Sequence, residues 1–508
     1  MSSTICTSNI TSGFIDLATY DELEKYMYGC GDAVAYFVRT TCKSTWFTQV
    51  PVVLSNCSGN AAFGQHFSVS ISRAGDYLLQ TWLRVKLPAL KAAESSRIRW
   101  TRNLMHNLVQ ECCISFNDLV AARFDSYHLD FWAAFTVPAS KQAGYNQMIG
   151  NTVALTDTSL TAGGLPTFLY SGPTGAAGGT QLSTACTQET YLNLPLPFFY
   201  SRDSGVALPT AALPYNEMKI QFKFRDWNEL LIAEAVTTTA TANAVMTACA
   251  TTADLDPVAA PVLEAWVWAN YAIVSNDERK RMACAPRDIL IEQAQMTPKC
   301  TWNPAVQANP KYDLRLSHAI KVLFFAVSNT TTSCERSTYT LGGPEIGTLM
   351  AVNGTAASAP NKFTGQFQID PISAVSLVYE NTNRLGQMGA EYFSLVNPYY
   401  TAPVIPEVKG YHAYSYSLDF ICLDPMGSTN YGKLTNVSIV PEATCLAKQA
   451  SQVVGMGGTT LAPFSNGTTS APQNLTNLNR TQTYQFVLTC VNNNIIRISG
   501  GALGFPVL

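Results

Sequence analysis

The sequence predicts an all-β protein built as two similar tandem domains, and three observations carry that expectation. Residues 218–225 alternate Met218, Ile220, Phe222 and Phe224 with Lys219, Gln221, Lys223 and Arg225, the two-residue period of a strand with one wet face. The stretch containing this strand, 194–225 (LPLPFFYSRDSGVALPTAALPYNEMKIQFKFR), has a counterpart at 411–441 (YHAYSYSLDFICLDPMGSTNYGKLTNVSIVP). Each joins an aromatic run to a Gly-containing turn and an amphipathic strand. Each is then followed by an Ala/Thr/Ser/Gly loop and a closing apolar strand, at 263–274 and 484–498. Such long-period repetition favours two related β-domains over one large sheet. Finally, 508 residues exceed what one core ordinarily serves, and a hydrophobic content of 47% suffices for two.

In chain order, residues 12–28 place Phe14, Leu17, Ala18, Tyr20, Leu23 and Met27 at helical spacing, giving a short amphipathic arm over residues 1–28. Strands are expected at 35–38, 46–54, 66–72 and 76–87, with Gly75 and Asp76 turning the chain between the last two. Residues 99–109 lead into a strand at 111–116 that turns at Asn117 and Asp118, and the aromatic run 127–135 reads as a helix or packed connector. Residues 151–190, nearly free of charge, are a long excursion from the sheet. Pro195 and Pro197 stiffen the next entry, and Arg202, Asp203, Ser204 and Gly205 reverse the chain. The strands at 218–225 and 263–274 are expected to close the first domain's sheet together.

Residues 275–281 (SNDERKR), with a cap residue, then acids, then bases, read as a capped helical turn at the domain boundary. Hence the expected organisation is an arm at 1–28, a first domain at 29–276, a linker at 277–287 and a second domain at 288–508. The second domain's strands are expected at 288–295, within 313–327, at 374–379, 391–396, 414–420 and 434–440, and at the closing 484–498. Charge-poor loops at 329–361 and 442–480 separate them, and the apolar terminus 495–508 is expected to pack rather than hang free.

Composition narrows the function. Only 13% of residues are charged, against about 25% in an average globular domain. The missing charge implies a surface of neutral loops or one covered by other subunits. A net charge of −3 and no basic run longer than Arg279, Lys280 and Arg281 argue against direct nucleic-acid binding. The 14 cysteines are scattered, with only Cys112 and Cys113 adjacent, and the N-terminus lacks a basic, apolar leader, so reduced thiols made in the cytosol are expected. No run of about 18 apolar residues suggests a membrane span.

No chemistry-bearing motif stands out. His66, His106, His128, His318 and His412 are isolated, without metal-ligand spacing, so no metal site or cofactor is expected. Gly455, Met456, Gly457 and Gly458 follow no strand and do not form a phosphate loop. Asp203 and Glu217 are the candidates for a carboxylate pair of the glycosidase kind, and both are more simply a turn residue and a strand-edge residue. The sequons at Asn9, Asn56, Asn329, Asn353, Asn436, Asn466, Asn474 and Asn479 reflect Thr-rich loops in a chain without a leader.

Several longer stretches resemble one family. Residues 194–220, 275–281 and 288–293 (DILIEQ) resemble the major capsid proteins of large nucleocytoplasmic DNA viruses. The segments 12–21 (SGFIDLATYD), 99–107 (RWTRNLMHN), 379–396 (YENTNRLGQMGAEYFSLV), 427–436 (GSTNYGKLTN) and 496–508 (IRISGGALGFPVL) are similar to the iridovirus form. The resemblance covers nearly the whole chain and departs from the family in extra length within the three charge-poor loops. It implies two tandem eight-stranded jelly-roll β-sandwiches with short helices and long loops. It also implies a structural, non-enzymatic role: homotrimers of pseudo-hexagonal outline tiling an icosahedral shell around an internal membrane. The partners it implies are the chain itself, minor capsid and penton proteins, and inner-layer proteins or membrane, in a virion assembled in host cytoplasm. A carbohydrate-binding or hydrolysing β-sandwich is the alternative, which a cleft with convergent carboxylates or a bound cation in a monomer would favour.

Overall fold

The computed structural model describes residues 3–29, 31, 33–93, 96–117, 119–156, 169–170, 184–187, 189–236, 245–284, 286–341, 369–452 and 481–505. Most of the loops expected at 151–190, 329–361 and 442–480 lies outside these residues, as do Asp118 and Gly455 to Gly458. The chain divides into two units, Met1–Trp46 and Phe47–Leu508.

The first unit carries helices α1 (Ser3–Ala18) and α2 (Glu22–Met27). Asp21 and Glu24 form a capping box at the start of α2, which satisfies backbone N–H groups that the helix leaves orphaned. Phe14, Leu17, Leu23, Tyr26 and Met27 are all exposed, so this arm buries no core of its own.

The second unit repeats one strand order twice. Its first half contains β1 (Phe47–Val53), β2 (His66–Ser70), β3 (Tyr77–Leu87), β4 (Val109–Phe116), β5 (Leu119–Asp125), β6 (Thr190–Pro195), β7 (Met218–Phe224) and β8 (Glu264–Val274). These pair antiparallel as β1-β8-β3-β6 and β2-β7-β4-β5. Its second half contains β9 (Arg287–Met296), β10 (Tyr312–Asp313), β11 (Ala319–Asn329), β12 (Ile372–Tyr379), β13 (Thr382–Gly389), β14 (His412–Ser415), β15 (Val437–Ala443) and β16 (Tyr484–Ser499). They pair as β9-β16-β11-β14 and β10-β15-β12-β13. Counted from its own first strand, each half runs first-eighth-third-sixth in one sheet and second-seventh-fourth-fifth in the other. The repetition between 194–225 and 411–441 is thus one topology used twice. Asn56–Gly59 extends the edge beside β2, while Ser96–Trp100, Leu231–Val236 and Val245–Cys249 pair in a separate three-stranded sheet.

Alternation in sequence becomes alternation in burial. Met218, Ile220, Phe222 and Phe224 of β7 are buried while Lys219, Gln221 and Lys223 reach toward solvent. With Leu83, Val85, Val267 and Ala269 from the opposing sheet they build the first core. Leu323, Phe325 and Val327 of β11, Phe486 and Leu488 of β16, and Leu377 and Ile439 opposite them build the second.

Helices fill the connections. α3 (Leu104–Leu108) precedes β4, and α4 (Ser126–Thr136) and α5 (Ala139–Ile149) follow β5. Asp125 caps α4 by accepting from the His128 backbone N–H at 2.9 Å. Between the halves, α6 (Asn276–Cys284) has acids in its first turn and Arg281 in its last, as its sequence predicts. Arg279 of α6 holds Asp76 with two hydrogen bonds of 2.8 Å, and the Val274 N–H adds a third at 2.9 Å. Gly75 accompanies this turn because a Cβ there would meet Tyr271 Cβ at 2.6 Å.

Four expectations need correction. Residues 35–38 form a turn, since so short a run pairs with no neighbour. Residues 391–396 are helical: Tyr392–Val396 forms a π-helical turn continued by α7 (Asn397–Thr401). There only Phe393 is buried, stacked edge-on to Phe325 and Tyr414, which is the one-sided burial of a helix turn. The aromatic strand at 414–420 stops at Ser415, because Ser415 Oγ donates to the Ser417 carbonyl and Ser417 Oγ to the Asp419 carbonyl, pulling the chain out of the ladder. Lastly, β7 and β8 do not close one sheet; they lie in opposing sheets.

Candidate functional site

Helix α4 carries one acid, Asp130, in an otherwise apolar and aromatic run, and the fold supplies four donors to it. Asn103 Nδ2 at 3.0 Å and His106 Nδ1 at 2.6 Å donate to Oδ1; Ser337 Oγ at 2.6 Å and Tyr339 OH at 2.8 Å donate to Oδ2. The first pair comes from the first half of the chain and the second pair from the second half. His106 Nε2 in turn lies 2.7 Å from Tyr145 OH of α5. Burial and the Asp130 charge raise the Tyr145 phenol far above its ordinary value, so it keeps its proton and donates to the imidazole.

A serine, a histidine and an aspartate therefore meet beside a cavity of about 240 Å³ that Arg102, Glu407 and Tyr411 also line. Their order is wrong for nucleophilic catalysis: the serine hydroxyl donates to the carboxylate, and Nε2 accepts from a phenol instead of facing a nucleophile. The cluster is a polar strut that ties the two halves together.

Apolar contact and ion pairs complete this junction. Phe131 and Phe135 of α4 pack on Val322, Phe324, Ala326, Val487 and Val491, the outer face of the β9-β16-β11-β14 sheet. Gly410 permits the chain to pass Tyr339, where a Cβ would sit 2.2 Å from its carbonyl oxygen. Lys321, 0% exposed near the start of β11 where the ladder shifts register, donates to Glu292 and to the Cys422 carbonyl at 2.6 Å. Glu292 also pairs with Arg202 at 2.8 Å, whose guanidinium lies 4.3 Å over the Trp132 ring. Arg99 to Glu335 at 3.3 Å and Arg336 to Glu229 at 2.6 Å bridge the halves again. With these charges paired, the two halves are fixed against each other.

The first half presents the corresponding sheet face to solvent. Val53, Trp268, Trp82 and Pro195 form one cross-strand row on β1, β8, β3 and β6, and the two indoles stack at 6.1 Å. Trp266, Ile273 and Tyr191 remain exposed beside them, with Arg84 over the Tyr191 ring at 4.7 Å. This is the apolar face the low charge content foreshadows.

The residues considered from sequence are dispersed. Asp203 is exposed and accepts from the Ser204 backbone N–H at 2.8 Å, while Glu217 is exposed beside Lys219 at 2.9 Å. His66 is exposed and His318 partly buried. His412 is buried with Nε2 2.7 Å from Asp370, and burial beside Arg202 lowers His128 to about 4. Among the described residues, no group of three or more His, Cys, Asp or Glu converges on a metal-sized site. Asp130 and Lys321 escaped the sequence reading, although each is a single charge inside an apolar run, the pattern of a buried group that must have partners.

One strand order used twice in tandem is the double jelly-roll class of fold. The structure aligns with a chain of the PBCV-1 virus capsid at TM-score 0.64, 19% identity, over 93% of this chain and 100% of that one. Residues 35–274 match the family described as major capsid protein N-terminus, and 278–504 the large eukaryotic DNA virus major capsid protein. The chain is 57% identical over 506 residues to the major capsid protein of Costelytra zealandica iridescent virus, covering 99% of each. It is 55% identical over 511 residues to that of Invertebrate iridescent virus 6, covering 99% of this chain and 100% of the relative. The chain belongs to the iridovirus major capsid protein family.

Proposed function

We propose that this chain is the structural subunit of an icosahedral virion shell, assembling as homotrimers of pseudo-hexagonal outline. The observation that carries the reading is the identical strand order of two halves locked by one junction. Two similar bodies side by side give each subunit two corners, so three chains about a threefold axis present six similar faces, and hexagonal packing follows. Each half is read as an eight-stranded jelly roll, at 29–276 and 288–508, with 277–287 as the linker.

The row of Val53, Trp268 and Trp82 on the first half, with exposed Trp266, Ile273 and Tyr191 beside it, is assigned to contact with the second half of a neighbouring chain. Such a contact removes apolar side chains from water. The arm, whose apolar side chains are exposed, is assigned to the base of the capsomer, against neighbours, inner-layer proteins or the internal membrane. Minor capsid and penton proteins complete the set of partners, in a virion assembled in host cytoplasm. The role is mechanical, with no catalytic step and no direct nucleic-acid contact. Native mass measurement at micromolar concentration tests it: trimers that persist on dilution are expected, and a monomer overturns the reading. Deleting residues 1–28 is expected to leave soluble trimers that assemble poorly.

A further inference from the structure

Two thiols from opposite halves of the chain meet at the junction, and nothing in the shell-forming role uses them. Cys249 ends the short strand Val245–Cys249, which pairs with Leu231–Val236 in the first half. Cys334 is buried in the turn that follows β11 in the second half. The Cys249 sulfur lies 3.1 Å from the Oγ of Ser333, the residue that precedes Cys334. The turn bearing Cys334 is held by the two residues that follow it: Glu335 pairs with Arg99 at 3.3 Å, and Arg336 donates from its backbone N–H to Thr101 Oγ1 at 2.9 Å. The turn is thus kept beside Cys249 by contacts that need neither sulfur.

We propose that Cys249 and Cys334 form a disulfide joining the two halves of the chain when the protein leaves a reducing compartment. The oxidant is a small-molecule disulfide, and the step is two successive thiol–disulfide exchanges. The Cys249 thiolate attacks one sulfur of the small disulfide, forming a mixed disulfide and expelling one small thiolate. Cys334 then loses its proton to solvent and attacks the Cys249 sulfur, expelling the second small thiolate. Two protein thiols become one protein disulfide, and one small disulfide becomes two small thiols.

The chemistry of the two sulfurs suits these roles. Hydrogen bonds from Cys334 and Ser333, with Arg336 nearby, outweigh burial and bring the Cys249 thiol down to about 6, so it is a thiolate at neutral pH. Cys334 is pushed up, first by its hydrogen bond to Cys249 and then by burial. Capping Cys249 removes the negative charge that Cys334 was hydrogen-bonded to, which frees Cys334 to become the resolving thiol. The resulting bond closes a loop of about 85 residues, long enough to restrict the unfolded chain substantially.

The test uses the intact chain treated with oxidised glutathione, followed by peptide mapping without reduction. A Cys249–Cys334 crosslink with loss of two hydrogens is expected, its rate rising with a midpoint near pH 6 instead of about 8.5. An apparent melting temperature higher by several degrees is expected with it. Cys334→Ser is expected to stop at a glutathione adduct on Cys249, and Cys249→Ser to give neither product. Exposed Cys42 and Cys57 serve as internal references. A wild-type chain in which the Cys249 adduct never resolves, or in which Cys249 is alkylated no faster than Cys57 at pH 7, overturns the proposal. Those wild-type readings decide the question even if a variant misfolds.

Discussion

The third strands of the two halves occupy the same place in the same topology, yet they meet different surroundings. β3 alternates: Leu83 and Val85 face the core, while Trp82, Arg84 and Lys86 line a face open to solvent. β11 is buried on both sides, because α4 of the first half lies over Val322, Phe324 and Ala326. One topology thus yields a wet sheet and a dry one, and the difference is where the helix after the fifth strand comes to rest: α4 lies over the outer face of the other half's sheet, while Tyr392–Thr401 packs through Phe393 on Phe325 and Tyr414 of its own half. A sheet face is a docking surface until something docks. In the second half the occupant is part of the same chain; in the first half Trp266, Ile273 and Tyr191 on that face are exposed.

The sharpest way to break that comparison is to remove matched side chains from the two faces. Phe324→Ala opens a cavity under α4, against Phe131 and Phe135, and is expected to cost about 3–5 kcal/mol in chemical denaturation. Lys321→Ala leaves Glu292 with Arg202 as its remaining partner in a buried site and is expected to cost about 3 kcal/mol by the same measurement.

Acid sharpens the comparison by acting on the sealed face. His128 is buried against Trp132 and Phe324, and burial, then Arg202, lowers it to about 4 from an ordinary histidine value of about 6.5. The unfolded chain therefore binds this proton first as pH falls. Stability is full above about pH 6.5 and declines toward pH 4, by roughly 3 kcal/mol in total. His128→Leu is expected to remove this part of the pH slope, read from melting curves between pH 7 and 4. The smallest effect on the isolated chain is expected at Trp82→Ala, about 1 kcal/mol, because its indole is only partly buried. If the open face is an intersubunit surface, the same change is expected to weaken trimers in native mass measurement far more than it weakens the fold.

How much of this could be read beforehand differs by element. The period of β7, the near-continuous apolar run of β11 and the cap-acid-base order of α6 are local patterns, and local patterns translate directly into elements. Residues 391–396, a short aromatic and apolar run, have no period of their own that separates strand from helix. Phe393 turned them helical by docking on Phe325. At the junction the lone charges Asp130 and Lys321 were visible, but their partners lie more than 20 residues away in sequence, as with His106 and Glu292. No spacing rule reaches that far.

The sequence by itself determined the β-class, the doubling of one plan and the family, because alternation, repetition and long shared motifs are properties of the chain as written. Only the tertiary structure decided which of two equivalent sheets is dry, which acid becomes the hub of a polar strut and which cysteine lies beside the turn of Cys334. Those outcomes depend on where α4 and the turn after β11 come to rest. That is set by the sum of many weak contacts between distant segments rather than by any one residue's propensity.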